Sequence, residues 1–267
     1  MNPDLVLIEQ RGPAAVLTLN RPEKRNALSR ALVAALGSRL AEAASDPAVR
    51  VVVLAANGPV FCAGLDLDEL AELMKPPDAR DVMQHGARQL AAVYRALATC
   101  AKPTIAAVHG PAVAGGAGLV TACDLAIATP QAKFGYPEVR RGIMPAIITP
   151  MLLRLVSLRA AKHLLLRSNL VSADEAAQMG IYNRVVPAEQ LQETVAQWVR
   201  ELASGGPATL SGTKQWIDRC SAVPDLWIES ADASAAARFT PECEEGIAAF
   251  HSKREPMWTP KRIEDRG

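Results

Sequence analysis

Between Gly110 and Gly118 the chain reads Gly-Pro-Ala-Val-Ala-Gly-Gly-Ala-Gly. Glycine lets backbone approach a ligand closely, because no Cβ stands in the way. The run follows Thr104 to Val108, an apolar stretch that reads as a buried strand, and a helix is expected to begin inside it. The first N–H groups of a helix lack intrahelical acceptors and lie at the positive end of its dipole, so they suit an anion. Several anions are excluded by what is missing. A Walker-type phosphate loop needs Lys where Gly116 follows Gly115, and a dinucleotide fingerprint read from Gly116 needs Gly where Thr121 stands. The G-x-S-x-G elbow of serine hydrolases is absent from the sequence.

Phe61-Cys62-Ala63-Gly64-Leu65-Asp66 has the same setting: a buried strand, Val51 to Ala55, before it and a helix after it. Two strand–glycine–helix units can aim two backbone N–H groups at one oxygen, as an oxyanion hole requires. A third segment, Phe134-Gly135-Tyr136-Pro137-Glu138-Val139, sets one carboxyl group in an apolar neighbourhood of sequence. A carboxyl group so placed has a raised pKa and serves as acid or base. Taken singly, each segment also has a plain reading, as helix–strand packing or an exposed glutamate. Asp66 and Asp68 read best as first-turn helix residues favoured by the dipole. Arg140 and Arg141 read as a solvated face, or as contacts to a phosphate or carboxylate. His109 reads as a strand-end polar residue. Trp216, Trp227 and Trp258 are expected to pack helices or subunits.

These segments need positioning. Leu5 to Glu9 and Ala15 to Leu19 predict a hairpin turning at Gly12-Pro13. Ser29 predicts the N-cap of a helix to about Ala44, with Leu32, Val33, Leu36 and Leu40 on one face. A short helix over Leu67 to Met74, a mobile loop over Lys75 to Asp81 and a helix over Val82 to Thr99 follow. Leu125 to Ala128 and Lys133 to Gly135 are extended. From Ile147 onward the pattern is nearly all helix, with a capping box at Ser172 to Glu175 and a short strand near Tyr182 to Val186. The last helices span Ala188 to Ala203, Pro207 to Arg219, Asp225 to Arg238 and Pro241 to Lys253, most starting at Pro, Ser or Thr.

Composition excludes other classes. The 267 residues carry 29 Lys and Arg against 28 Asp and Glu, a net charge of +1, which gives no reason to expect nucleic acid or an anionic membrane as partner. Five cysteines without C-x-x-C spacing and four scattered histidines predict reduced thiols and no metal site. The N-terminal residues lack a basic-then-apolar signal, and the apolar stretch Thr104 to Ala128 is broken by Pro111 and glycines. A cytoplasmic protein is expected.

The order and spacing of the pieces resemble the crotonase superfamily, the enoyl-CoA hydratase/isomerase group, over nearly the whole chain. The resemblance rests on Asn20-Arg21-Pro22 with Asn26-Ala27-Leu28, on Phe61 to Asp66, on Gly110 to Gly118 with Cys123-Asp124, and on Phe134 to Glu138. It ends with Glu245-Gly246, Phe250 and Lys253. It implies an α/β fold: a crotonase-like ββα spiral over residues 1–200, binding acyl-CoA and carrying catalysis, then a helical C-terminal trimerisation region over 201–267. It implies an acyl-CoA substrate and a homotrimer or dimer of trimers, with no permanently bound cofactor because coenzyme A belongs to the substrate. By the same resemblance, the N–H groups of Leu65 and Gly115 form the oxyanion hole and Glu138 is the acid/base. Arg25, Ala27, Leu28 and Ala63 match positions that line the CoA nucleotide, and Phe250 and Lys253 match positions that touch CoA. Met74, Val82, Met83 and Ile143 to Ile147 are placed to shape an acyl pocket.

One departure governs the chemistry. Typical hydratases of the group carry two glutamates that hold the added water, and the first falls at Gly118. One carboxylate suffices for a 1,3-proton shift, so isomerisation and hydration both stay open. Gly142 to Ile148 resembles a branched-chain hydratase subgroup similar to methylglutaconyl-CoA hydratase, whose members can lack that glutamate. Ala146, where some isomerases place an acid, disfavours dienoyl isomerisation. Decarboxylation, thioester hydrolysis and a non-catalytic RNA-binding or scaffold member are the alternatives. A serine protease of the same spiral fold needs a nucleophile that the glycine segment lacks.

Overall fold

The computed structural model describes residues 4–221 and 226–259. The chain opens with the predicted hairpin, β1 (Val6–Arg11) antiparallel to β2 (Ala14–Leu19). Then α1 (Arg30–Ser45) runs from its cap, where the Ser29 side chain accepts from Leu32 N–H. β3 (Val51–Ala56) pairs parallel with β2, and β4 (Thr104–Val108) with β3. Between them lie α2 (Leu67–Leu73) and α3 (Ala79–Ala98). The expected loop over Lys75 to Asp81 is therefore shorter: Pro76-Pro77 breaks the chain, but helix resumes at Ala79, whose buried methyl opens the apolar stripe of α3.

β5 (Ala112–Val113) and α4 (Gly115–Ala122) complete one strand–strand–helix turn, and β6 (Leu125–Ala128) with β7 (Lys133–Gly135) begins the next. The main sheet has the order β1-β2-β3-β4-β6-β9, where β9 is Arg184–Val185. A small second sheet joins β5, β7 and β8 (Val171–Ser172), and a parallel bridge from Cys62 to Ala112 extends it toward β3. Of its strands, β7 matches the expected extended piece Lys133 to Gly135, while β5 and β8, two residues each, are too short for sequence periodicity to show.

Continuous apolar strands follow from a sheet covered on both faces. Leu17, Leu19, Val52, Leu54, Ala106 and Val108 pack toward the helices α1 and α3. Their alternating neighbours Val16, Val51, Val53, Ile105 and Ile127 pack under Leu191, Val195 and Val199 of α8 (Leu191–Ser204). Helices α5 (Thr149–Leu155), α6 (Leu158–Arg167) and α7 (Ala173–Gln178) intervene, the last with the predicted capping box of Ser172 and Glu175.

After residue 204 the chain is helical: α9 (Pro207–Cys220), α10 (Trp227–Ala237) and α11 (Pro241–His251). The predicted start of the third-last expected segment's successor, Asp225, lies outside the described residues. Lys214 on α9 donates to Asp124, which also accepts from the N–H and hydroxyl of Thr104, so α9 is tied to β4. α10 lies along α3, tied at its middle by Arg88 and Gln84 bonding Asp232. Trp227 packs against the core, whereas Trp216, with the Arg219 guanidinium 5.5 Å from its ring centre, and Trp258 are exposed.

Candidate active site

The Asn-Arg-Pro and Asn-Ala-Leu segments build the frame that presents Leu65. Asn26 is buried in the left-handed region at φ +52°. Its side chain accepts from Arg21 N–H and donates to the carbonyls of Asn57 and Val60, at 2.8–2.9 Å. Arg21 pairs with Asp66 at 2.6 Å, and Asp66 caps α2 by accepting from the N–H groups of Asp68 and Glu69. Leu28 N–H donates to Gly64 O, and Asp66 N–H donates to Leu28 O. The intervening Leu65 N–H has no backbone acceptor among the described residues.

Gly64 is at φ +90°, and a Cβ there would meet the Ala114 methyl at 2.7 Å and Gly115 N at 3.3 Å. Only glycine permits both that conformation and that approach. Ala114 itself has φ +52°, an unusual value for a residue with a Cβ. Its N–H donates to Gly135 O at 2.9 Å. The next residue, Gly115, is the first of α4, so its N–H is one of the unpaired donors of a helix start. The two amides are thus neighbours, carried by loops pressed together at Gly64.

Glu138 begins a short 3₁₀ turn after Pro137, and Gly142, at φ +66°, closes it. Part of the residue is exposed, but the carboxyl end points inward: Oε2 is buried and has no hydrogen-bond partner. Burial pushes this carboxyl up to about 7, against smaller downward pulls from a backbone hydrogen bond and Arg141. Leu65, Gly115 and Glu138 line one cavity of about 630 Å³.

The other predicted positions divide. Arg25, Ala27, Ala63 and Phe250 line the same cavity, with Ile143 to Ile147 along its wall. Leu28, Val82 and Met83 line a smaller cavity beside it. Lys253 is exposed at the end of α11 and lines neither. His109 meets Gly58 O at 2.7 Å, Arg140 bonds Ser168 and Asn169, and Asp68 pairs with Lys24 at the surface.

Three cavity residues stayed hidden in the sequence or were misjudged there. Arg141 is half-buried rather than on a solvated face, with its guanidinium 5.0 Å from the Phe250 ring centre and its Nε unpartnered. Tyr94 is fully buried on α3, and its hydroxyl donates to Gly115 O at 2.7 Å. The same hydroxyl fills the place above Gly118: a Cβ there would meet Tyr94 Oη and Ile148 Cγ2, each at 2.7 Å. Arg238 lies at the end of α10. Tyr94 sits in an apolar helical stripe, where an aromatic ring reads as core, so no sequence signal marked it.

A family model for enoyl-CoA hydratase/isomerase matches residues 9–261. The chain belongs to the enoyl-CoA hydratase/isomerase family. A Thermus thermophilus relative, provisionally named an enoyl-CoA hydratase, is 40% identical over 93% of this chain and 98% of its own. The short-chain-enoyl-CoA hydratase of Clostridium acetobutylicum is 34% identical over 93% of this chain and 95% of the relative. A crystal structure of an enoyl-CoA hydratase from Mycobacterium avium superposes with a TM-score of 0.83 at 38% identity, covering 97% of this chain and all of that one. The fold expected from the resemblance is therefore that of the family. No helix among the described residues of this family member is long and apolar enough to cross a membrane.

Proposed function

We propose that the protein hydrates an enoyl-CoA thioester, with the N–H groups of Leu65 and Gly115 holding the thioester oxygen and Glu138 carrying the proton. The observation that supports this most is the inward Glu138 carboxyl, whose buried Oε2 has no partner and which titrates near neutrality in the cavity those amides line. Such a group populates both protonation states at working pH, which acid/base catalysis needs. Water attacks the β-carbon as Glu138 takes its proton. Electrons move onto the thioester oxygen, where the two amides stabilise them, and Glu138 returns the proton to the α-carbon. One preorganised donor of this kind contributes about 10²- to 10³-fold in rate.

Tyr94 supplies the missing anchor for water. Its proton is committed to Gly115 O, so its oxygen is free to accept from a water that also bonds Glu138. Tyr94 and Glu138 line the same cavity. CoA leaves past Arg25, Ala27, Ala63 and Phe250. The same reading includes a cytoplasmic homotrimer or dimer of trimers, assembled through the helices after residue 200.

A second reading, a 1,3-shift of the double bond, is favoured by one observation: Gly118 offers no second carboxylate. Crotonyl-CoA and a 3-enoyl-CoA, each with wild type and Glu138→Gln, separate the two. Wild type is expected to hydrate crotonyl-CoA, and Glu138→Gln to lose about 10²- to 10⁴-fold. Turnover of the 3-enoyl substrate alone would establish isomerisation instead. If wild type transforms neither thioester while binding CoA, both readings fail.

A further inference from the structure

Arg238 presents a problem that the reaction above does not solve. It is 4% exposed at the end of α10, and its Nε is buried without a partner. Its one hydrogen bond within the described chain, from Nη2 to Ser234 Oγ, is long at 3.4 Å. Among the described residues it has no carboxylate partner, unlike Arg21 with Asp66 or Arg88 with Asp232. A buried cation without a counter-charge is expensive. Burial lowers this guanidinium to about 10, so it still carries its charge at neutral pH.

Its position suggests the missing anion. Arg238 lines both the main cavity and the smaller one, at the wall they share with Leu65, Leu90 and Asp66, whose carboxylate is already paired with Arg21. Tyr94, Glu138 and Arg238 all line the main cavity. Ser234, also buried, lines the main cavity too, and because its oxygen accepts from Arg238 its own proton is free to donate. The phosphates of CoA are poor candidates: the exposed Lys24 and Arg25 line the same cavity, whereas Arg238 is enclosed. A plain hydrocarbon tail would leave the guanidinium unpaired beside it.

We propose that Arg238, helped by Ser234, receives a carboxylate at the far end of the acyl chain. The substrate is then the mono-CoA thioester of an unsaturated dicarboxylic acid rather than of a simple fatty acid. This rests on the enoyl-CoA reading above. A guanidinium offers two parallel N–H donors to a carboxylate, and an enclosed site makes that pairing strong.

The test compares matched enoyl-CoA pairs of four, five and six acyl carbons, alike except that one member ends in a carboxylate and the other in a methyl group. With wild type, kcat/KM for at least one carboxylate member is expected to exceed that of its methyl partner by at least about 30-fold. Arg238→Met should abolish that preference while leaving the methyl partner's turnover within a few-fold. Ser234→Ala, a gentler change, should reduce the preference by about tenfold. Equal or lower turnover of every carboxylate member by wild type overturns the proposal without any variant. A parallel loss on both members in Arg238→Met, with the preference intact in Ser234→Ala, also overturns it and makes Arg238 a structural residue. If wild type turns over neither member of any pair, the enoyl-CoA reading fails. Competition binding of the same thioesters then decides the Arg238 site separately: tighter binding of the carboxylate members supports it, and equal binding overturns it.

Discussion

Glu138 combines burial, one unpartnered oxygen and a raised pKa, with measurable consequences. Its ordinary value is 4.5 and its folded value about 7. Between those values the unfolded chain ionises while the folded chain holds its proton. The folded state therefore binds more protons, and this group's contribution to stability falls as pH rises through the window. The difference is on the order of 3 kcal/mol. Glu138→Gln removes the titration, so the variant's stability should rise relative to wild type from pH 4.5 to 7 and then level off, as denaturant melts at several pH values would show. Catalysis should carry an acidic limb near pH 7, because the reaction starts from the carboxylate. Tyr94→Phe should cost about 1 kcal/mol in stability and lower hydration more than any isomerisation, read from paired assays. Gly118→Glu should not improve hydration. Its side chain would collide with Tyr94 and Ile148, costing about 1–3 kcal/mol in thermal or denaturant melts. In the sequence Glu138 alone reads equally as an exposed glutamate, and only the order and spacing of the family's segments single it out. The sequence hid Tyr94 and Arg238 because a tyrosine in a helical apolar stripe, or an arginine in a last helical turn, satisfies ordinary rules of position.

At the scale of elements, two loops must meet before either amide can act. Gly64 allows this contact through its positive φ and missing Cβ. Gly64→Ala should push Ala114 and Gly115 away, with kcat falling about 10²-fold or more while circular dichroism stays native. The elements themselves were largely readable. Apolar runs marked β3, β4 and β6, and side-chain caps marked α1 and α7. The start of α3 was not readable, since Asp78 makes no side-chain capping bond and two prolines precede it. The small sheet escaped because β5 and β8 are two residues each, below any period.

At the scale of the molecule, the main sheet is buried by helices on both faces. Large apolar side chains nevertheless remain outside: Trp216, Ile217 and Ile228 are about 60% exposed on α9 and α10. A trimer should sediment at three times the chain mass, and Trp216→Lys with Ile228→Lys should shift the population toward monomer if those helices form the contact. Helix α11 also braces the turn that carries Glu138. A Cβ on Gly246 of α11 would strike the Arg141 carbonyl at 2.5 Å, and one on Gly142 would strike the backbone of Glu242. A helix made late in the chain is thus pressed against the turn that carries Glu138. Under the proposed function, copies cut short before residue 241 would keep their strands but lose that brace, and are expected to turn over thioesters poorly.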